Sequence, residues 1–153
     1  MVRQELIHSA LFEGLGSDQV EALAPLFERM DFRAGDKVFS AGDQVHHLYL
    51  LESGEVVIQF YPHDGGSLDI ATIGPGGVFG WSAALGRGSY TSTALCLADS
   101  STLAVRGEAL RKVMVTDPVL GGIILERLAQ VVANRFEGIR SQLVQVFQVA
   151  RVA

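Results

Sequence analysis

Cysteine is nearly absent from this sequence: Cys96 stands alone. An internal disulfide is excluded, and one thiol cannot by itself hold zinc or an iron–sulfur cluster. Proline is scarce, with four in 153 residues. Positive charge is short as well: 12 lysines and arginines face 17 acidic residues, for a formal net charge of −5. A DNA-binding surface needs a basic face, so no nucleic-acid contact is expected from this chain. No apolar run approaches the ~20 residues that span a bilayer. Met1-Val2-Arg3-Gln4-Glu5 lacks the charged start and long apolar stretch of a secretory leader. No membrane contact and a cytoplasmic location are the expectation. What remains is a globular balance, 48% apolar and 19% charged, in a length that suits one domain, 1–153, with one sizeable core.

Three sections follow one another. Residues 1–28 read as helices. Leu6, Ile7, Ala10 and Leu11 recur at helical spacing, Gly14-Leu15-Gly16 breaks the run, and Ser17 is placed to cap a second helix carrying Val20, Leu23, Ala24 and Phe27. Residues 29–105 read as short strands between glycine turns. Leu48-Tyr49-Leu50-Leu51 and Val56-Val57-Ile58-Gln59-Phe60 flank Ser53-Gly54, a hairpin signal. Turns every ~8–12 residues predict a sandwich or barrel. Residues 107–153 return to helix. Asp117-Pro118 is a start signal, and no proline follows. Gly121, Gly122 and Gly138 are weak points in that helix.

Along the last helix, Leu125, Ala129, Val132, Phe136, Ile139, Leu143, Val146 and Ala150 advance by alternating steps of four and three. That is a heptad seam. Ile123, Ile124 and Leu128 widen the apolar face near its start and suit packing on the helix's own domain. Residues 136 to 150 suit a partner, and a two-fold homodimer through Val132, Phe136, Ile139, Leu143 and Val146 is the expectation.

The densest cluster of unusual residues is Gly74-Pro75-Gly76-Gly77-Val78-Phe79-Gly80-Trp81-Ser82-Ala83-Ala84-Leu85. Glycines permit close backbone approach, and a helical turn from Ser82 to Leu85 would offer amides to an anion. Ser82, Ser89, Tyr90, Thr91 and Ser92 add hydroxyls. No Gly-Lys-Ser/Thr follows, so this is not a P-loop. A plain strand connection stays open on these residues alone.

Metal chemistry finds little to work with. His46 and His47 are adjacent and would point to opposite faces of a strand. Glu52, His63 and His8 complete no ligand set. Cys96, between Leu95 and Leu97, reads as core. Asp36 and Asp43, beside turn glycines, read as turn formers.

Taken in order, the stretches Leu11-Phe12-Glu13-Gly14-Leu15, Phe32-Arg33-Ala34-Gly35-Asp36, Leu48-Tyr49-Leu50-Leu51-Glu52-Ser53-Gly54-Glu55-Val56, Gly77-Val78-Phe79-Gly80, Ala98-Asp99-Ser100, and Arg135-Phe136 with Arg140 resemble the cyclic-nucleotide-binding domain of the catabolite activator protein type. The resemblance spans nearly the whole chain. It implies a mainly β fold with flanking helices: a jelly-roll β-barrel (double-stranded β-helix), N-terminal helices and a long C-terminal dimerisation helix. It implies a phosphate-binding cassette formed by Phe79, Gly80, Trp81, Ser82, Ala83, Tyr90, Thr91 and Arg140, and a non-catalytic sensor for cAMP, cGMP or another small anion. In that family a glutamate after the Phe-Gly pair holds the ribose hydroxyl, and a later arginine pairs with the cyclic phosphate. Here Trp81 takes the glutamate position, and Tyr90 with Thr91 falls near the arginine position. Arg87, three residues before Tyr90, substitutes only if the loop is shifted. A tyrosine offers one neutral donor where arginine offers a charged fork. A modified nucleotide, another small anion or no ligand all stay open. Transcription factors of the family continue into a helix-turn-helix where this chain ends at Ala153. Two other readings are a ligand-free dimeric interaction module with Trp81 filling the pocket, and a cupin-type metalloenzyme.

Overall fold

The computed structural model describes residues 2–61, 66–86 and 88–152; the side chains of residues 139, 142, 143 and 145–152 lie outside the described set. The chain opens with α1 (Val2–Ile7) and, after a turn, α2 (Ser17–Leu23). The turn is held by Ser9, whose hydroxyl donates to the Leu6 carbonyl (2.7 Å) and accepts from the Phe12 amide (3.2 Å). That local bonding satisfies backbone groups which helix would otherwise use, and it drives Leu11 and Phe12 fully into the core. The cap of α2 is Gly16 rather than Ser17: the Gly16 amide donates to Gln19 Oε1 at 3.0 Å. Pro25 sits in a short 3₁₀ turn, Ala24–Leu26, and strand begins at Phe27. The helical section therefore ends two residues before the expected boundary at 28. Phe27 pairs with Val105 and meets Phe12 edge to face at 5.7 Å, and these partners fix it in the sheet.

Among the described residues eight strands follow: β1 (Phe27–Phe32), β2 (Lys37–Phe39), β3 (His47–Ser53), β4 (Val56–Phe60), β5 (Leu68–Ile73), β6 (Val78–Phe79), β7 (Thr93–Cys96) and β8 (Ser100–Arg106). They form two four-stranded antiparallel sheets, ordered β1-β8-β3-β6 and β2-β7-β4-β5. This is the expected jelly roll, as two facing sheets that do not close into a continuous barrel. β3 explains its own unbroken apolar run. Leu48 and Leu50 face the helices, while Tyr49 and Leu51 face the opposite sheet, so both sides are buried. At the β3–β4 turn, Gly54 has φ +102°, and a Cβ there would fall 2.2 Å from Ser100 Oγ. Cys96 is buried in β7 between the sheets.

Two helices close the chain, α3 (Gly107–Thr116) and α4 (Pro118–Val152). Asp117 starts α4 as its composition predicts, its carboxylate accepting from the Leu120 amide at 3.1 Å. Gly121 is a close contact rather than a weak point, because a Cβ would lie 2.4 Å from the Met114 carbonyl of α3. Leu120, Ile124 and Leu128 of α4 are buried in the helix-side core, whereas Leu125, Val132 and Phe136 are exposed. Farther along, α4 crosses β5, with Gly138 close to the Ile70 carbonyl. Among the described residues no helix is long and apolar enough to cross a membrane.

Candidate functional site

β6 ends at Phe79, and Gly80 turns the chain with φ +76° into a 3₁₀ turn, Trp81–Ala83. Only glycine suits this position. A Cβ on Gly80 would meet the His47 carbonyl at 3.1 Å and the rings of Tyr49 and Phe39 at 3.3 and 3.4 Å. The helical turn is real but short. Its Ala83 and Ala84 amides are committed to the Gly80 and Trp81 carbonyls, so it adds little helix-end field.

Around this turn Phe79, Gly80, Trp81, Ser82, Tyr90, Thr91 and Ser92 line one depression with Phe39 and Arg135. Six of the eight residues expected from sequence thus converge. Ala83 does not: it is buried in the helix-side core, under Gly107, and its carbonyl accepts from Arg111. Arg140 does not either. It is exposed and pairs with Glu137 one helical turn back, at 3.1 Å. Arg135 takes the place expected of it. Five residues apart, the two arginines differ by about 140° around the helix, so only one can face the loop. Arg135 Nη2 donates to the Val78 carbonyl at 2.6 Å, and its guanidinium lies 5.0 Å from the Trp81 ring centroid, a cation–π contact. Its Nη1 is buried without a hydrogen-bond partner among the described residues. Burial lowers the Arg135 pKa to about 10, which leaves it charged at neutral pH. The signal for Arg135 was in the helix period: it continues the inward series of Ile124, Leu128 and Val131 at steps of four, three and four.

Tyr90, more than Trp81, fills the site. Its ring stacks on Phe39 at 3.7 Å and 10°. Its hydroxyl donates to the His47 carbonyl at 2.6 Å and accepts from the His47 amide at 3.3 Å. Burial raises its pKa, outweighing the hydrogen bonds, so the phenol stays neutral. Phe39, Tyr49 and Phe79 complete an aromatic cluster beneath the loop. The cavity left is about 20 Å³, room for about one water. His47 has its pKa lowered by burial first and then by Arg106 and His46, which keeps it neutral.

Arg87 and His63 lie outside the described residues, as do the side chains of Ile139, Leu143, Val146 and Ala150. Val132 and Phe136 are 37% and 63% exposed, on the α4 face away from the core. Among the described residues no three His, Cys, Asp or Glu side chains gather as a metal site, and nothing favours the cupin reading.

The chain is similar to several known proteins. The cyclic AMP receptor protein of Thermus thermophilus is 31% identical over 127 residues, covering 80% of this chain and 58% of that protein. The crystal structure of the Thermus thermophilus catabolite activator protein matches with a TM-score of 0.74 at 28% identity, over 90% of this chain and 63% of the other. A cyclic nucleotide-binding domain from Methylobacillus flagellatus matches in fold with a TM-score of 0.83 at 20% identity, over 94% of this chain and 83% of the other. This chain therefore spans less than two thirds of the length of the Thermus proteins. The family model for the cyclic nucleotide-binding domain matches residues 29–117, from β1 through α3 and so across the glycine loop and Tyr90 but not α4, and the chain belongs to that family.

Proposed function

We propose that this chain is a non-catalytic sensor in which the cassette takes a small anionic ligand of the cyclic nucleotide class, and α4 reports occupancy to a second copy. One observation carries the reading: Arg135, on the long helix, reaches into the cassette and holds a buried guanidinium nitrogen that has no hydrogen-bond partner among the described residues. An anion at that nitrogen would gain a charge-assisted hydrogen bond. Any ligand bonded to Arg135 touches the loop and the helix at once, and it can shift the helix only by its differential affinity for two helix positions. The exposed Leu125, Val132 and Phe136 give α4 an apolar outer face suited to a second α4. Cyclic AMP and cyclic GMP are the first candidates, because the Thermus relative is a cyclic AMP receptor.

A second reading has its own support. A nucleotide needs a pocket of roughly 300 Å³ or more, and Tyr90 on Phe39 leaves about 20 Å³. Ligand entry therefore requires the lining to move, and the Tyr90 ring is the first candidate because it stacks on Phe39 within it. Without that movement the domain is a ligand-free dimeric module.

Trp81 is the only tryptophan and lies against Arg135, so its fluorescence separates the two. Titration with cAMP, cGMP and AMP should give a saturable change for a cyclic nucleotide, lost in Arg135→Gln. A flat response to all three at millimolar concentration establishes the ligand-free module instead.

A further inference from the structure

Two donors at the cassette depression have no acceptor among the described residues. One is Arg135, whose Nη2 serves the Val78 carbonyl while its Nη1 is buried without a partner. The other is Ser82. It lines the same depression, is only 8% exposed, and its hydroxyl bonds no described residue. Buried hydroxyls ordinarily have partners, so an unpaired one in the wall of a void marks a place where a guest accepts.

The charge at this place is unpaired too. Arg135 forms no ion pair among the described residues, and no residue lining the depression is acidic. Burial lowers its pKa with no carboxylate opposing the shift. The Trp81 face and the Val78 carbonyl soften the charge without cancelling it. Buried charges are ordinarily paired.

Size and polarity then select the guest. A void of about 20 Å³ takes one atom or one water. A water must also donate, and the carbonyls around the turn already accept: Val78 from Arg135, His47 from Tyr90, Gly80 and Trp81 from the Ala83 and Ala84 amides. An anion that only accepts needs no such partner. A cation would meet like charge.

We propose that the cassette holds one halide ion, accepting from the Ser82 hydroxyl and the Arg135 guanidinium. The inference rests on the anion-binding part of the reading above and not on the nucleotide. Tyr90 need not move to admit an ion of this size. The halide neutralises the guanidinium and so steadies α4 against the end of β6, and any larger anion bonded to Arg135 has to displace it.

The test uses the full chain without nucleotide, at constant ionic strength, with chloride replacing gluconate stepwise. Protein-dependent broadening of the chloride NMR line reports bound ion and is expected to saturate in the millimolar range. Arg135→Gln should weaken the affinity at least tenfold, since it removes the charged donor. If that variant does not fold, Ser82→Ala serves the same purpose through the lost hydroxyl. A crystal of the parent chain grown in bromide needs no variant: its anomalous peak is expected beside Ser82 Oγ and Arg135. Broadening that never saturates, affinity undiminished in the folded variants, or a cassette without bromide overturns the proposal. A flat nucleotide response beside saturable chloride binding would remove the nucleotide reading and support this one.

Discussion

At the scale of the residue, Arg135 is held at a cost. Burial lowers its pKa to about 10, so folding disfavours its charged form. The sign follows: the unfolded chain binds that proton more tightly, and the penalty is present at all pH below the folded value and relieved only as pH rises above about 10. A buried charge without a counterion is often replaced by an apolar group of like volume without loss. Arg135→Met is therefore expected to change the unfolding free energy by no more than about 1 kcal/mol in either direction, since the Val78 bond and the desolvation cost oppose each other. A urea titration at pH 7 checks this. A loss above about 3 kcal/mol would mean that Arg135 holds the fold together, and the argument for it as a ligand group would fail. Arg140 shows how the sequence misleads at this scale. Both arginines stand in one family-like stretch, and only the helical phase set by Ile124 and Leu128 decides which of them faces the loop.

At the scale of the element, α4 was legible as a helix with two apolar faces because its period is strong. Less legible were its glycines, whose meaning depends on a neighbour distant in sequence. Ala is a better helix former than Gly by about 1 kcal/mol, so propensity alone predicts that both Gly121→Ala and Gly122→Ala stabilise. The packing predicts a split. A Cβ at 121 would lie 2.4 Å from a backbone carbonyl of α3, whereas nothing lies within 4 Å of a Cβ at 122. Gly121→Ala should lose about 1–3 kcal/mol, in the range of overpacked sites, and Gly122→Ala should gain up to about 1 kcal/mol. Thermal unfolding of the pair reads the difference directly. The outer face carries its own prediction. Val132→Asp with Phe136→Asp alters only exposed positions, so under the proposed pairing of α4 with a second copy the variant should stay folded yet elute later than the parent, as a monomer. An unchanged elution volume would place any dimer contact elsewhere.

At the scale of the whole molecule, glycine spacing and strand alternation, which are local, pointed to a sandwich or barrel, while the jelly roll and the cassette's place in it came only from the family resemblance. The filling of the site came from neither, because the Phe39–Tyr90 stack joins strands and loops 51 residues apart and no periodicity encodes it. That stack belongs to the core between the sheets, with Tyr49, Phe79 and Ile58, while the same ring occupies the ligand depression. Stability and affinity therefore draw on one side chain in opposite senses. When a binding-competent state is sparsely populated, apparent affinity falls by that fraction. Tyr90→Ala removes the stack and both hydroxyl bonds to His47, and should lower the unfolding free energy by about 3–5 kcal/mol, as for other large core aromatics. It also removes an aromatic ring that lines the depression. Under the sensor reading, the folded variant should bind cAMP or cGMP at least tenfold more tightly than the parent, measured by calorimetry below its unfolding midpoint. Stability lost with no gain in affinity would make Tyr90 a structural residue alone, and the two-sheet domain a ligand-free scaffold for α4.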